Sequence, residues 1–381
     1  SNKLVKVNEK VDELDGKLNQ FEAGSFSSTT TMNGKVVYAI GAVDGGDTIG
    51  GTEALSTAYV FKMELNTSFT GDDNLYTRLS AGKWDANFTH KPGNYHIEAK
   101  NTASGEVEPL IVDKLWYTFP VGDNTTVWVG PRIENYYMMA AAPSIYKPGV
   151  LKGFKLGGNG AVFGASTDGG AGVKYEFGDS GFAVSSNFVS KNADSAGGLF
   201  TNEDKNKIDT QFAFTKPQYH ASVTYSKQTN KWDSSEYFTT DDIHEMGADA
   251  DADAYAFRAY WRPEESGSAT PEISVGYDII NFDNHGRNVK EGSGYFVGLG
   301  WKDMFQADDK IGIALGQPVK ATKATSAGTL DEVDPFLWEA YYSFKPNDSI
   351  TVTPAIWGGT DVSLNNTQDV FGTMLTTTFK F

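Results

Sequence analysis

Chemistry that depends on paired functional groups finds little to use in this sequence. His90, His96, His220, His244 and His285 show no ligand spacing such as H-x-x-x-H, so a metal enzyme is not expected. Asp249, Asp251 and Asp253 imitate the opening of a calcium loop, but Ala254 stands where the glycine belongs and Tyr260 where the bidentate Glu belongs. That run reads first as solvated loop acids, with weak divalent-cation binding as the other reading. The chain has no cysteine, which removes disulfides, thiolate metal sites and cysteine nucleophiles together. A nucleophile elbow, a P-loop and a dinucleotide fingerprint are all missing, so no cofactor is expected.

The charges that stand out sit at every second position of amphipathic runs. In Tyr59, Phe61, Met63, Leu65 every second residue is large and apolar, with Lys62 and Glu64 between them, as in a strand wet on one face. The alternation recurs at 75–79, 115–119, 208–214, 219–225, 255–261, 273–279, 295–301, 338–344 and 371–381. Weaker candidates at 34–43, 125–133, 159–166, 171–178, 181–189, 309–316 and 348–357 bring the total to about 17. A closed single-chain barrel has an even number of strands, so about 16 are expected, one weak segment being misread. Placing the apolar faces outward turns Lys62, Glu64, Arg78, Lys114, Arg132, Glu134, Arg258, Glu339 and Lys380 inward, as candidate pore-lining residues. Two readings of this set stay open: a locally basic lumen, or Lys and Glu pairing across strands and offsetting one another.

The composition agrees with such elements. The 381 residues include 41 Gly, 24 Phe, 18 Tyr and 8 Trp, which suits short strands, tight turns and aromatic girdles. No apolar run approaches the roughly 20 residues of a spanning helix, and that leaves a barrel untouched. The net charge of -17, without a Lys/Arg cluster, argues against nucleic acid as a partner.

Residues 1–24 follow a different period. Leu4, Val7, Val11, Leu14, Leu18 and Phe21 alternate as the a and d positions of a coiled coil, so a short helix is expected. It serves either as an oligomer seam or as an amphipathic helix packed on the body, represented by residues 25–381. The start at Ser1-Asn2 has neither initiator Met nor signal sequence and reads as lacking its natural N-terminus.

Asn135 to Gly158 is a long aromatic connection between candidate strands. Tyr136, Tyr137, Met138, Met139, Tyr146 and Lys147 are candidates for a constriction if the loop folds inward; a plain external loop is the alternative. The chain ends on an amphipathic strand, Val370 to Phe381, with Phe371, Leu375, Phe379 and Phe381 on one face and Thr376, Thr378 and Lys380 on the other. Phe379 and Phe381 there resemble the insertion signal of outer-membrane barrels. A soluble surface β-sandwich binding glycans or partner proteins would also alternate; the crowding of aromatic residues at the strand ends favours a barrel.

Leu65 to Gly82 resembles strands of cyanobacterial outer-membrane porins of the carbohydrate-selective (OprB-like) family, including Som-type and iron-uptake porins. Glu134 to Met139, Ala142 to Tyr146 and Phe163 to Val173 look like the same family. The resemblance implies an integral outer-membrane β-barrel, all-β and homotrimeric, that passes small solutes, inorganic ions or sugars without cofactor or catalysis. Trp116, Trp128 and Tyr260 would be possible sugar platforms. Family members usually carry a wall-binding domain ahead of a coiled-coil stretch. Attachment to peptidoglycan is therefore an expectation for the full-length protein, since the wall-binding part is absent from this sequence.

Overall fold

A computed structural model describes residues 29–44, 54–84, 96–105, 107–158, 160–164, 167–230, 232, 251–283, 289–325, 330, 334–361 and 369–381. The strands are β1 Thr30–Asp44, β2 Ser56–Thr67, β3 Asn74–Lys83, β4 Ile111–Val121, β5 Thr125–Ile133, β6 Asp168–Glu176, β7 Phe182–Ser190, β8 Asn206–Thr215, β9 Tyr219–Gln228, β10 Asp251–Trp261, β11 Glu272–Asp283, β12 Val289–Lys302, β13 Lys310–Ala324, β14 Phe336–Asn347, β15 Ile350–Thr360 and β16 Val370–Lys380. Each pairs antiparallel with its neighbours in sequence, and β16 pairs with β1, closing a barrel of sixteen strands. Closure leaves no open edge of backbone donors and acceptors, the condition for strands to cross hydrocarbon.

The outward face is apolar. On β16, Phe371, Leu375 and Phe379 are exposed, while Val370, Gly372, Met374 and Thr376 are buried. The same holds for Phe212 on β8, Phe257 on β10, Val275 and Tyr277 on β11, and Ile313 and Leu315 on β13. A soluble sandwich would enclose those side chains; this sheet presents them outside.

The candidate strand 159–166 belongs to no strand. Among its described residues, Ala161, Val162 and Phe163 are fully buried inside the barrel, in one apolar cluster with Ala252, Ala254 and Ile280. Its apolar character comes from burial against the inner wall. The other candidates correspond to the sixteen strands. Asp251 and Asp253, read as loop acids, lie on β10, where Asp251 accepts from the Asn230 amide and Asp253 from the Tyr225 hydroxyl. The heptads from Leu4 to Phe21 lie outside the described residues.

Short turns join the strands at the end that holds Thr30 and Phe381. In the turn between β2 and β3, the Asp73 carboxylate accepts from the Phe69 and Thr70 amides, the Ser68 and Thr70 hydroxyls, and the Tyr117 hydroxyl of β4. The Tyr117 hydroxyl, helped by the donors of the turn, holds the Asp73 carboxyl well below the usual carboxylate range. A depressed folded-state pKa means that this contribution is present above the ordinary Asp value of about 3.9 and is lost only as pH falls through the lower folded value. The Phe69 and Thr70 amides should thus keep the same exchange protection at pH 5 and pH 3; loss of protection near pH 4 would contradict this.

Candidate functional site: an inward loop and a charged wall

The connection from β5 to β6, described at residues 134–158, 160–164 and 167, folds into the lumen, and most of its hydrogen bonds to the wall go to β8 to β11 and β14. Its path contains two 3-10 turns, Asn135–Met138 and Lys152–Gly157. Polar side chains on the inner wall pin it at successive points. Glu339 of β14 accepts from the Tyr146 hydroxyl (2.8 Å) and from the backbone amides of Gly149 (3.0 Å), Val150 (3.0 Å) and Leu151 (2.7 Å). Arg258 of β10 forms a pair with Asp278 of β11 (2.9 and 2.8 Å) and donates to the carbonyls of Leu156 (2.9 Å) and Gly158 (2.6 Å). Gln228 of β9 donates to the Ala161 carbonyl (2.7 Å), and Lys207 of β8 to that of Val162. Gln211 accepts from the Ala141 amide, and the Tyr341 hydroxyl donates to the Lys147 carbonyl.

Apolar packing fills the space between these anchors. Tyr146, Val150, Leu151 and Phe154 share a cluster with Val37, Val60, Phe296 and Trp357 from the wall. The wall is cut back to receive them. A Cβ at Gly276 would collide with the Gly157 carbonyl, and one at Gly298 would fall 2.6 Å from the Tyr146 ring. Backbone approach this close needs glycine. The inward positions of β10 carry Ala252, Ala254 and Ala256 for the same reason.

The opposite half, β1 to β5, carries charge. A second inward segment, residues 96–105, adds Glu98 and Lys100; it meets the first loop through a bridge between His96 and Leu151 and an Ile97 amide to Val150 carbonyl bond (2.6 Å). Glu98 lies between Lys35 (2.7 Å) and Lys62 (2.6 Å). Asp113 lies between Arg78 (Nε, 2.6 Å) and Lys100 (2.7 Å). Glu134 pairs with Lys114 and accepts from the Tyr136 hydroxyl, while Lys155 sits 3.8 Å over the Tyr136 ring. Each of these ion pairs therefore joins residues distant in sequence, and Glu98 and Asp113 are each shared by two cations. Beside them runs an aromatic chain, Tyr76 to Trp116 (4.3 Å), Trp116 to Tyr137 (4.7 Å) and Tyr137 to Tyr136 (4.8 Å).

Of the nine charges assigned inward from the sequence, Lys62, Glu64, Arg78, Lys114 and Glu134 lie along this charged half, and Lys380 lies beside Lys35 in register. Arg258 and Glu339 are correctly placed on the inner face but wrongly pictured as bathed by the lumen: the inward loop covers them and uses them as anchors. Arg132 is corrected too. A register shift in β5 sets it opposite Leu115, in the outward row, with its Nε reaching the Asp113 carbonyl (3.4 Å). Among the loop candidates, Met138, Met139 and Tyr146 are buried against the wall, Tyr136 and Tyr137 flank the charged half, and Lys147 is exposed. Trp128 packs near the aromatic chain, whereas Tyr260 stacks on His220 (4.8 Å) away from it.

Sequence reasoning missed Lys35, Glu98, Lys100 and Asp113. Glu98 and Lys100 lie in a connection without strand period. Asp113 was hidden by a bulge: Arg78 pairs with Lys114 and Leu79 with Val112, so Asp113 and Lys114 both turn inward. Asp209 and Lys207, a buried pair beneath the loop, were legible only by parity within β8.

A closed sixteen-stranded sheet with an apolar outside and a loop folded into its lumen defines a porin-type barrel. The family model described as carbohydrate-selective porin, OprB family, matches residues 7–381, and the chain belongs to that family. An uncharacterized protein of Synechocystis sp. is 24% identical over 397 residues, which cover 91% of this chain and 68% of the relative. Among solved structures, OprB of Pseudomonas putida at high pH superimposes with a TM-score of 0.60 at 11% identity, covering 93% of this chain and 94% of that one. In-vitro folded OmpT of Vibrio cholerae, in a trimer form, gives 0.57 at 12% identity, covering 93% and 99%. The protein is thus an integral outer-membrane porin, a channel rather than an enzyme.

Proposed function

We propose that this porin conducts small hydrophilic solutes and inorganic ions passively through the gap between the inward loop and the charged wall of β1 to β5. The observation that carries the reading is the uneven anchoring of the loop: Ala141, Tyr146, Gly149 to Leu151, Leu156, Gly158, Ala161 and Val162 bond to β8, β9, β10, β11 and β14, away from Lys62, Arg78 and their partners. Charges lining a constriction set which ions enter. Lys35, Lys62, Arg78, Lys100 and Lys155 stand there against Glu64, Glu98 and Glu134, with the buried Lys114 and Asp113 behind them, which favours anions. The aromatic chain from Tyr76 to Tyr136 supports a second cargo, neutral sugars, whose apolar ring faces slide on aromatic surfaces while the flanking charges take their hydroxyls. The outward apolar face supports contact with lipid, and a homotrimer is the assembly we assign. Phe379 and Phe381 are read as the insertion signal. Wall anchoring through peptidoglycan belongs to the same proposal for the full-length protein.

In planar bilayers the reversal potential in a KCl gradient should show anion preference, and Asp113→Asn should strengthen it. Swelling of liposomes in neutral hexoses tests the sugar reading in the same preparation. Strong cation preference in the unmodified protein would overturn the charge assignment.

A further inference from the structure

Three lysines stand side by side on the inner wall where the barrel closes. Lys35 of β1 is the direct register partner of Lys380 on β16 and of Lys62 on β2, so three ammonium-bearing side chains occupy adjacent places in one row. Like charges directly opposite one another are destabilising in a sheet, so the row opposes folding unless an anion is supplied. One carboxylate answers it: Glu98, from the inward segment 96–105, bonds Lys35 and Lys62. None of the described carboxylates pairs with Lys380. Glu64, on the same strand as Lys62, has Arg78 as its register partner on β3, on the side away from Lys380.

The row borders an open pocket of about 430 Å³, lined by Asn33, Lys35, Lys62, Glu64 and Lys380. A second basic pair faces the lumen from further round the same end: Lys302 of β12 is the register partner of Lys310 of β13. Of these two, Lys302 is held by Glu272 (2.5 Å) and Lys310 by no described carboxylate. This end carries the short turns, which in outer-membrane barrels face the periplasm.

We propose that the Lys380, Lys35, Lys62 row is a binding site for a small multivalent oxyanion of the phosphate class. Glu98 occupies part of it as a tethered anion in competition with the solute. The proposal rests on the channel reading for its place along the permeation path, but the binding itself does not. A tetrahedral oxyanion spreads separate acceptor oxygens toward three ammonium groups and carries more charge than chloride, while neutral solutes carry none. The site continues the charged wall of the constriction to Lys380 and would hold the anion on its periplasmic side.

Inorganic phosphate titrated calorimetrically into the detergent-solubilised protein should bind saturably. Lys35→Gln and Lys380→Gln should each weaken it by about tenfold, the scale of one lost charge-assisted contact. Glu98→Gln should tighten it. Lys35→Gln guards against a Lys380 variant that fails to insert, since it leaves the terminal strand unchanged. Absence of saturable heat in both the unmodified protein and Glu98→Gln, or an affinity in the two lysine variants equal to that of the unmodified protein, overturns the site. A parallel bilayer recording separates the two readings: phosphate-dependent reduction of the KCl current supports both. Phosphate binding without any KCl conductance sinks the channel reading and leaves the site standing.

Discussion

Glu339→Ala should release the inward loop and raise the single-channel conductance severalfold, with added current noise, while leaving the barrel folded. The Glu339 carboxylate is buried and accepts four hydrogen bonds from a six-residue stretch of the loop, Tyr146 to Leu151. Its removal strands three backbone amides and a hydroxyl in an enclosed place, a loss on the order of 3–5 kcal/mol, comparable with the docking energy of a short loop. The chain relieves that loss by letting the segment leave the wall. Glu339→Gln keeps one acceptor oxygen and should give an intermediate channel. A conductance unchanged in Glu339→Ala would show that the other anchors and the apolar cluster around Phe154 and Phe296 hold the loop without it.

Arg258 and Asp278 should respond unequally to replacement. Arg258 bonds Asp278 and also the carbonyls of Leu156, Phe257, Tyr277 and Gly158. Asp278 has both oxygens on Arg258. Arg258→Met therefore leaves an enclosed carboxylate with nothing to answer it and should destabilise by about 3–5 kcal/mol. Asp278→Asn leaves the guanidinium among its carbonyls and should cost clearly less. The double variant should recover part of the loss from Arg258→Met, because neighbouring replacements couple. Urea-dependent loss of the folded gel-mobility form reads all three. Equal destabilisation by the two single variants would contradict the asymmetry.

The barrel was legible because strands facing lipid on one side and polar or packed matter on the other must alternate with period two, as 219–225 and 273–279 do. That logic fails inside the lumen. Residues 159–166 look like a strand because Ala161, Val162 and Phe163 are buried, and burial alone carries no period. Parity put Arg258 and Glu339 on the correct face, but says nothing of what covers them. The sequence signs of that cover are small residues on inward parity, Gly298 of β12, Gly276 of β11 and the alanines of β10, where an ordinary strand would place bulk. The ion pairs were least legible, since Asp113 depends on a bulge and Glu98 on a loop.

The last residue has a role in the order of assembly. Phe381 exchanges backbone bonds with Gly34, and its ring lies over that glycine, which has no side chain to obstruct it. The seam of the cylinder thus joins β16 to β1, the two strands farthest apart in the described sequence. Contacts so far apart along the chain form late, because the entropy of bringing the ends together must be met first. Until then the sheet has two unpaired edges. Loss of the β1 to β16 pairing would leave both edges open to other chains, so the closing register guards the barrel against aggregation.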